Sequence, residues 1–170
     1  MPQGNLIKQA GASFLLESPK RIVLSGPSGF LGSRVLKSVL NVHKFRKANG
    51  LNPGELIILS SSPGRLMEKL VREHGCESMS TVRASRVDYY TQHNPETWID
   101  NLGSLGLEGN NCVFVNLAAI AGPDGGKDGL NLVNYNAPVA AAKACQYLGF
   151  GHWIQSSTQG NTLFSFYIIL

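Results

Sequence analysis

The stretch RIVLSGPSGFLG, residues 21–32, decides how the rest of the chain is interpreted. Its first five residues are a short β-prone run, and the apolar residues after it recur at helical spacing. Gly26 permits a sharp turn out of the strand, Gly29 permits close approach of a pyrophosphate, and Gly32 permits tight packing of helix on sheet. The free N–H groups at the helix start would attract that phosphate. A glycine-rich structural turn is the alternative, and a Walker A loop is excluded because no Gly-Lys-Ser/Thr follows.

Beyond this stretch, short β-prone runs alternate with longer helical ones. This alternation predicts an α/β fold, with a doubly wound parallel sheet covered by helices on both faces. Ligands bind such sheets beyond the carboxyl ends of the strands, so the residues after each strand are the ones to inspect. The predicted strands are residues 21–25, 55–60, 81–87, 111–117 and 152–156; the predicted helices are 30–49, 63–74, 95–105 and 131–148.

Composition limits the class of protein. The chain has 170 residues, 43% hydrophobic and only 15% charged, which favours collapse into a folded domain over disorder. We expect an N-terminal extension at 1–19, one nucleotide-binding domain at 20–160 and an atypical apolar tail at 161–170. A net charge of +4 without a basic run is not a nucleic-acid signature.

Cysteine usage and hydropathy indicate the compartment. The three cysteines are odd in number and contain no C-x-x-C, so a zinc ribbon and a thioredoxin-type motif are excluded. No secretory signal and no apolar stretch long enough for a membrane span is recognisable, and we expect a cytoplasmic protein. The histidines lack metal-ligand spacing, so no metal is expected. His43 is predicted on the polar side of the first helix.

The spacing GxxGxxG resembles the short-chain dehydrogenase/reductase superfamily, in particular its extended branch of NAD-dependent epimerases and dehydratases. The resemblance implies a Rossmann-like NAD(P)-binding fold, and it continues through Val87-Asp88, Val115-Asn-Leu-Ala-Ala119, Asn134 and Trp153-Ile-Gln-Ser-Ser-Thr158. By this resemblance Asp88 would bind the adenine amino group and the paired alanines would lie against the nicotinamide ribose. Ala137-Pro138 departs from the Gly-Thr that the family carries there.

The predicted site combines the glycine loop with these strand-end residues. Simpler interpretations remain for its members: Asp88 could end a strand in a solvated turn, Asn134 could be a helix cap, and Ser156 to Thr158 a polar turn. Thr158 takes the position of the family's catalytic hydroxyl, with Ser157 its neighbour. The predicted cofactor-binding residues are Gly26, Ser28, Gly29, Phe30, Leu31, Gly32, Ser61, Ser62, Arg65, Asp88, Leu117, Ala118, Ala119, Asn134 and Ser156.

The end of the second strand favours NADP over NAD. NAD-specific proteins place an acidic residue there to bind the ribose 2′-hydroxyl. Here the chain continues Ser60-Ser-Ser-Pro-Gly-Arg65, with no carboxylate to repel a 2′-phosphate and one guanidinium to bind it. The alternative is that Arg65 is a surface residue of the next helix.

The catalytic pair that the family requires is absent. A tyrosine followed four residues later by a lysine would supply the proton transfer, and no such pair occurs; the last lysine is Lys143. The apolar tail carries no gatekeeping charge and either adds an edge strand or is exposed. We therefore expect a fold truncated after the fifth strand and without turnover, taking a small-molecule substrate only in a full-length form. The alternative is a non-catalytic dinucleotide-binding redox sensor or interaction module; a homodimer is compatible with either.

Overall fold

The sheet and its covering helices are built from residues 20–120, 126–159 and 162–169, the part of the chain that the computed structural model describes. The predicted N-terminal extension lies outside these residues. No helix among the described residues is long and apolar enough to cross a membrane.

Strands and helices alternate along the chain as the hydrophobic pattern predicts. Asn94 caps the third helix, because its Oδ1 accepts the backbone N–H of Glu96 at 3.1 Å, with Pro95 at the first helical position. The elements are β1 (Arg21–Ser25), α1 (Phe30–Ala48), β2 (Glu55–Ser60), α2 (Pro63–His74), β3 (Val82–Arg86), α3 (Pro95–Ser104), β4 (Cys112–Asn116), α4 (Gly126–Asn131), α5 (Ala137–Tyr147), β5 (His152–Gln159) and β6 (Thr162–Ile169).

The six strands form one sheet in the order β3-β2-β1-β4-β5-β6. Strands β1 to β5 are mutually parallel, and β6 pairs antiparallel with β5. The predicted doubly wound α/β fold is confirmed. All five parallel strands end at the same edge, where their following loops converge.

Two apolar clusters cover the two faces of the sheet, because neighbouring residues of each central strand point to opposite sides. Val23 and Ile57 lie in the cluster that includes Trp98 of α3 and Ala144 of α5, while Leu24 belongs to the cluster under α1 and α2. Burial on both faces explains the near-continuous apolar runs of β2 and β4.

The structure corrects two predicted boundaries and adds a sixth strand to the predicted sheet. The fourth helix was expected at 131–148, but helical backbone begins at Gly126 and passes through a π-helical turn, Leu132–Asn136, before α5. The fifth strand was expected to end at Ser156 and instead continues to Gln159, so Ser157 and Thr158 lie within it. The sheet also continues past the fifth strand, since the apolar tail supplies β6, the edge strand that was one of the two expectations for it.

The prediction for His43 was wrong. Its side chain is only 5% exposed, and its Nδ1 lies 2.9 Å from Oγ1 of Thr81. Burial and the nearby charge of Arg46 both lower the pKa of His43 below its usual value. The spacing of apolar residues along a helix does not identify such a residue, because histidine is polar and is buried here with a single polar contact.

Candidate functional site

The glycine loop after β1 contacts the loop after β4. Gly26 has a φ of +67°, a conformation that side-chain-bearing residues rarely adopt. A Cβ there would lie 2.6 Å from the backbone nitrogen of Ala118 and 2.7 Å from the carbonyl of Leu117. Two segments that sequence comparison placed in the same site are therefore in direct contact.

Gly32 and Gly29 have different structural roles. A Cβ on Gly32 would overlap the carbonyl oxygen of Gly26, so the first turn of α1 packs directly on the loop. A Cβ on Gly29 would meet that same oxygen at 3.4 Å, an ordinary contact, and Gly29 has a φ of −73°. The free protein has room for a side chain at Gly29 and none at Gly32.

The N-terminus of α1 is open and lacks acidic residues. Gly29 is its N-cap and provides no side-chain acceptor, and no carboxylate lies in the first turn. Backbone N–H groups in such a turn carry a partial positive charge and point outward. Arg34 adds a full positive charge to this end of the helix. Its guanidinium carbon lies 4.1 Å from the ring centroid of Phe30, which is 67% exposed. This end of the helix is suited to an anion.

The end of β2 is a polar, exposed segment. The hydroxyl of Ser60 accepts the backbone N–H of Ser62 at 3.1 Å, which shapes the turn into α2. Ser61, Ser62 and Arg65 are all exposed, and the first turn of α2 contains no acidic residue. The structure thus leaves these three predicted residues accessible at the carboxyl edge of the sheet.

Asp88 follows β3 in an exposed turn. Its Oδ1 accepts the backbone N–H of Tyr90 at 3.0 Å, and its carbonyl oxygen accepts the backbone N–H groups of Thr91 and Gln92. One carboxylate oxygen therefore shapes the turn. The turn interpretation and the adenine-binding interpretation of Asp88 are compatible with each other.

A row of polar side chains crosses the sheet at the ends of β1 and β4 and continues to Gln155 within β5. Ser25, Asn116 and Gln155 occupy paired register positions on neighbouring strands. The Ser25 hydroxyl donates to Oδ1 of Asn116, whose Nδ2 donates to Oε1 of Gln155 at 2.8 Å. Ser25 and Asn116 are at most 1% exposed. We call these three residues the strand-end row.

The strand-end row and Asn134 together fix the segment after β4. The backbone N–H groups of Leu117 and Ala118 donate to the Ser25 hydroxyl at 3.2 and 3.4 Å. Farther along, Asn134 in the π-helical turn accepts the N–H of Ile120 and donates to its carbonyl, both at 2.9 Å. Asn134 therefore clamps the loop, a role beyond the helix cap considered from sequence. Ala119, between the two anchors, is exposed.

The predicted hydroxyl residues lie on β5 beside this segment. The Ser156 hydroxyl donates to the carbonyl of Asn116 at 3.5 Å. Ser157 and Thr158 extend the strand, with Ser157 opposite Ser165 of β6. Of the residues expected after the strand, Ser157 is part of its ladder with β6, and Thr158 lies at the irregularity in pairing between Ser157 and Gln159. The polar-turn interpretation of this stretch is wrong for the backbone.

Tyr89 is a partly buried residue whose hydroxyl oxygen is buried. Its hydroxyl lacks a hydrogen-bond partner of normal geometry among the described residues, although Ser25 lies near enough to influence it. Burial raises the pKa of this phenol well above its usual value, so it stays neutral.

Sequence reasoning missed four residues of this region: Ser25, Arg34, Asn116 and Gln155. Polar residues in register at the ends of apolar strands are a usable signal, but pairing them requires the strand order. Arg34 follows Phe30 by four residues on one helical face, a spacing that identifies the pair once the helix start is known.

The described surface also contains a groove of about 150 Å³ between α3 and α5. It is lined by His93, Pro95, Asn136, Val139, Ala140 and Lys143. None of the predicted cofactor residues lines it. The candidate site is an open edge of the sheet, outside this groove.

Comparison with solved structures identifies the fold. The chain is similar to YwfH, described as an NADPH-dependent reductase involved in bacilysin biosynthesis, with a TM-score of 0.54 and 18% identity. It is also similar to a metagenomic short-chain oxidoreductase in complex with NADP (TM-score 0.55, 18% identity). A third is a putative 3-oxoacyl-reductase from Bacillus thuringiensis, at TM-score 0.56 and 12% identity.

These likenesses cover most of this chain and part of each neighbour. They include 81%, 85% and 84% of the chain, but only 58%, 65% and 59% of the respective neighbours. The chain therefore has the Rossmann-like fold of solved short-chain dehydrogenases/reductases and spans less than two thirds of their length. No family model matches the sequence. No curated protein matches it either.

Proposed function

We propose that the carboxyl edge of the sheet binds a dinucleotide, and that the chain is the cofactor-binding half of a short-chain dehydrogenase/reductase-type oxidoreductase. The observation that carries this is the Gly26–Gly32 loop, which packs against Leu117 and Ala118 and leaves the N-terminus of α1 uncapped. The fold itself does not use the open space beside Gly29, and a pyrophosphate needs such space to approach the backbone closely.

The proposed dinucleotide is NADP. Exposed serines and Arg65 follow β2, no acidic residue lies in the first turn of α1 or α2, and Arg34 adds a guanidinium near the loop. A 2′-phosphate carries charge that a guanidinium binds well and a carboxylate repels. Two of the similar structures are described as NADPH-dependent or in complex with NADP, which supports the same preference.

The test compares NADP and NAD binding to the full chain by isothermal titration calorimetry. We expect NADP to bind about tenfold more tightly than NAD, a difference that Arg65→Ala removes. Arg72→Ala is the matched control, because Arg72 is exposed near the other end of the same helix. Equal affinities that Arg65→Ala leaves unchanged would contradict the NADP assignment; binding of neither dinucleotide would contradict the site.

We further propose that this chain binds cofactor without turning over substrate. No tyrosine is followed four residues later by a lysine, and β5 leads to β6 after two residues, so no helix follows it in the described part of the chain. A longer form would act on a carbonyl or hydroxyl substrate, of the reductase or of the epimerase/dehydratase type. If the chain turns over a substrate and Thr158→Ala abolishes that turnover, the proposal that the chain is inactive is wrong.

The redox-sensor or interaction-module alternative shares this site and lack of turnover.

The compartment we propose is the reducing cytoplasm, since all three cysteines are unpaired and Cys112 and Cys145 are buried. Burial raises the pKa of both buried thiols, which disfavours the reactive thiolate.

A further inference from the structure

Strand β6 forms one edge of the sheet. It pairs with β5 over residues 162–169, and no described strand lies on its other side. Along an edge strand, backbone N–H and C=O groups face outward at alternate positions and can pair with another strand. A ladder of such groups therefore runs along this side of the molecule.

The two edges of the sheet differ in charge. At the opposite edge β3 carries two arginines: Arg83, which pairs with Glu55 at 2.5 Å and remains partly exposed, and Arg86, which is exposed. Residues 162–169 contain no charged residue, no proline and no glycine. Charged residues and prolines are the usual features that keep sheet edges from pairing, and β6 has neither.

We propose that β6 is an interaction surface through which two copies of this chain pair, antiparallel and edge to edge. Pairing a strand with its own copy about a two-fold axis places identical sequences opposite each other. Any charged residue in the middle of such a strand then faces a like charge nearby, which is destabilising. The uncharged sequence of β6 avoids this penalty, whereas the arginines of β3 incur it. A strand from a different protein needs no such neutrality.

Pairing through β6 ends at two copies. The dimer uses both β6 edges, and the joined sheet of twelve strands ends in a charged β3 at each side. The proposal is independent of the cofactor, because the glycine loop follows β1, with β4 and β5 between it and β6. Cofactor binding therefore leaves the dimer unchanged.

The test is sedimentation velocity of the full chain over a range of concentrations. We expect a monomer–dimer equilibrium, and Ser165→Lys should raise its dissociation constant by about tenfold or more at low salt. Gln146→Lys is the matched control, because it adds the same charge on the exposed side of α5. Circular dichroism of each variant checks that it is folded. Hydrogen exchange of the wild type gives a second readout, with the β6 amides better protected at concentrations that favour the dimer.

A mixing experiment separates pairing from a local effect on folding. At a concentration where the wild type is dimeric, Ser165→Lys and Ser165→Glu should each be mostly monomeric, and an equimolar mixture should restore the dimer because opposite charges then face each other. Failure of the mixture to associate overturns the proposal, as does a wild-type chain that stays monomeric at every concentration. Assembly beyond two copies contradicts the closed dimer.

Discussion

Gly26 and Gly29 lie three residues apart and respond differently to a side chain. At Gly26 the positive φ and the nearby backbone of Ala118 leave no place for a methyl group. At Gly29 the backbone is ordinary and the nearest atom is 3.4 Å away. The fold itself therefore does not require glycine at position 29, and a ligand that approaches the backbone closely would.

Gly29→Ala separates binding from folding. We expect the variant to keep its free energy of unfolding within about 0.5 kcal/mol. Its affinity for NADP should fall by about tenfold, because the methyl group occupies the space that a pyrophosphate would take. Calorimetric titration and urea unfolding on the same preparation measure both quantities.

The comparison variants for this position are glycines with other surroundings. Gly26→Ala should lose about 2 kcal/mol or more of stability through strain and overlap. Gly64→Ala, on α2 with nothing within 4 Å of its Cβ, should leave the affinity unchanged and should not lower the stability, because alanine favours a helix more than glycine does. If Gly29→Ala binds NADP as tightly as the wild type, the loop does not contact the phosphates.

Single residues show how far the sequence alone could be used. The three glycines and the residues after each strand were identified from spacing and from the alternation of strand and helix. The strand-end row was not, because Gln155 and Ser25 are 130 residues apart and meet only through β4. Local patterns do not report pairs that depend on strand order.

At the scale of elements, His43 couples α1 to the start of β3. The buried imidazole contacts Thr81, and Arg46 is the charged neighbour that adds to the lowering of its pKa. In the unfolded chain His43 titrates near its usual pKa of about 6.5. As the pH falls through this value, the unfolded chain binds a proton that the folded chain resists, so stability decreases.

His43→Gln should remove this part of the pH dependence. The amide can still reach Thr81 but does not titrate, so the variant should lose less stability than the wild type between pH 7.5 and pH 5.5. Thermal unfolding at the two values measures the difference. His93→Gln, which replaces an exposed histidine, should retain the dependence of the wild type. Identical pH profiles for His43→Gln and the wild type would contradict the burial of the imidazole.

Element boundaries were predictable where the chain has a local signal. Pro63 and Gly75 delimit α2 as expected, since one is a helix-start residue and the other has a φ of +80°. The start of the fourth helix at Gly126 was missed, because two glycines within α4 disfavour helix in isolation. The extension of β5 was missed for another reason: its last residues pair with β6, a contact that only the folded sheet provides.

At the scale of the whole molecule, the strand-end row connects three strands at the edge that carries the site. Asn116 is its central member, with Ser25 on one side and Gln155 on the other. Asn116→Leu retains the volume but leaves Gln155 without its donor and Ser25 without its acceptor. We expect a loss of about 2 kcal/mol in the free energy of unfolding, because buried polar groups without partners are costly.

Urea unfolding monitored by tryptophan fluorescence measures this loss. Asn110→Leu, an exposed asparagine in the loop before β4, is the control and should change stability by less than about 0.5 kcal/mol. If Asn116→Leu is instead more stable than the wild type, the desolvation penalty of the buried strand-end row exceeds the stabilisation that its hydrogen bonds provide.

The strand-end row also selects the strand alignment. The inner residues of β1 and β4 are all apolar, so hydrophobic contact alone distinguishes poorly between neighbouring alignments. Sliding β4 by one residue would put Val115 or Leu117 beside the Ser25 hydroxyl. It would also leave the side chain of Gln155 beside an apolar neighbour instead of an amide. One asparagine thus acts as a lock on alignment, much as a buried asparagine fixes the pairing of coiled-coil helices. Ser25 and Asn116 are 91 positions apart in the chain, so this alignment is fixed only once β1 and β4 have paired.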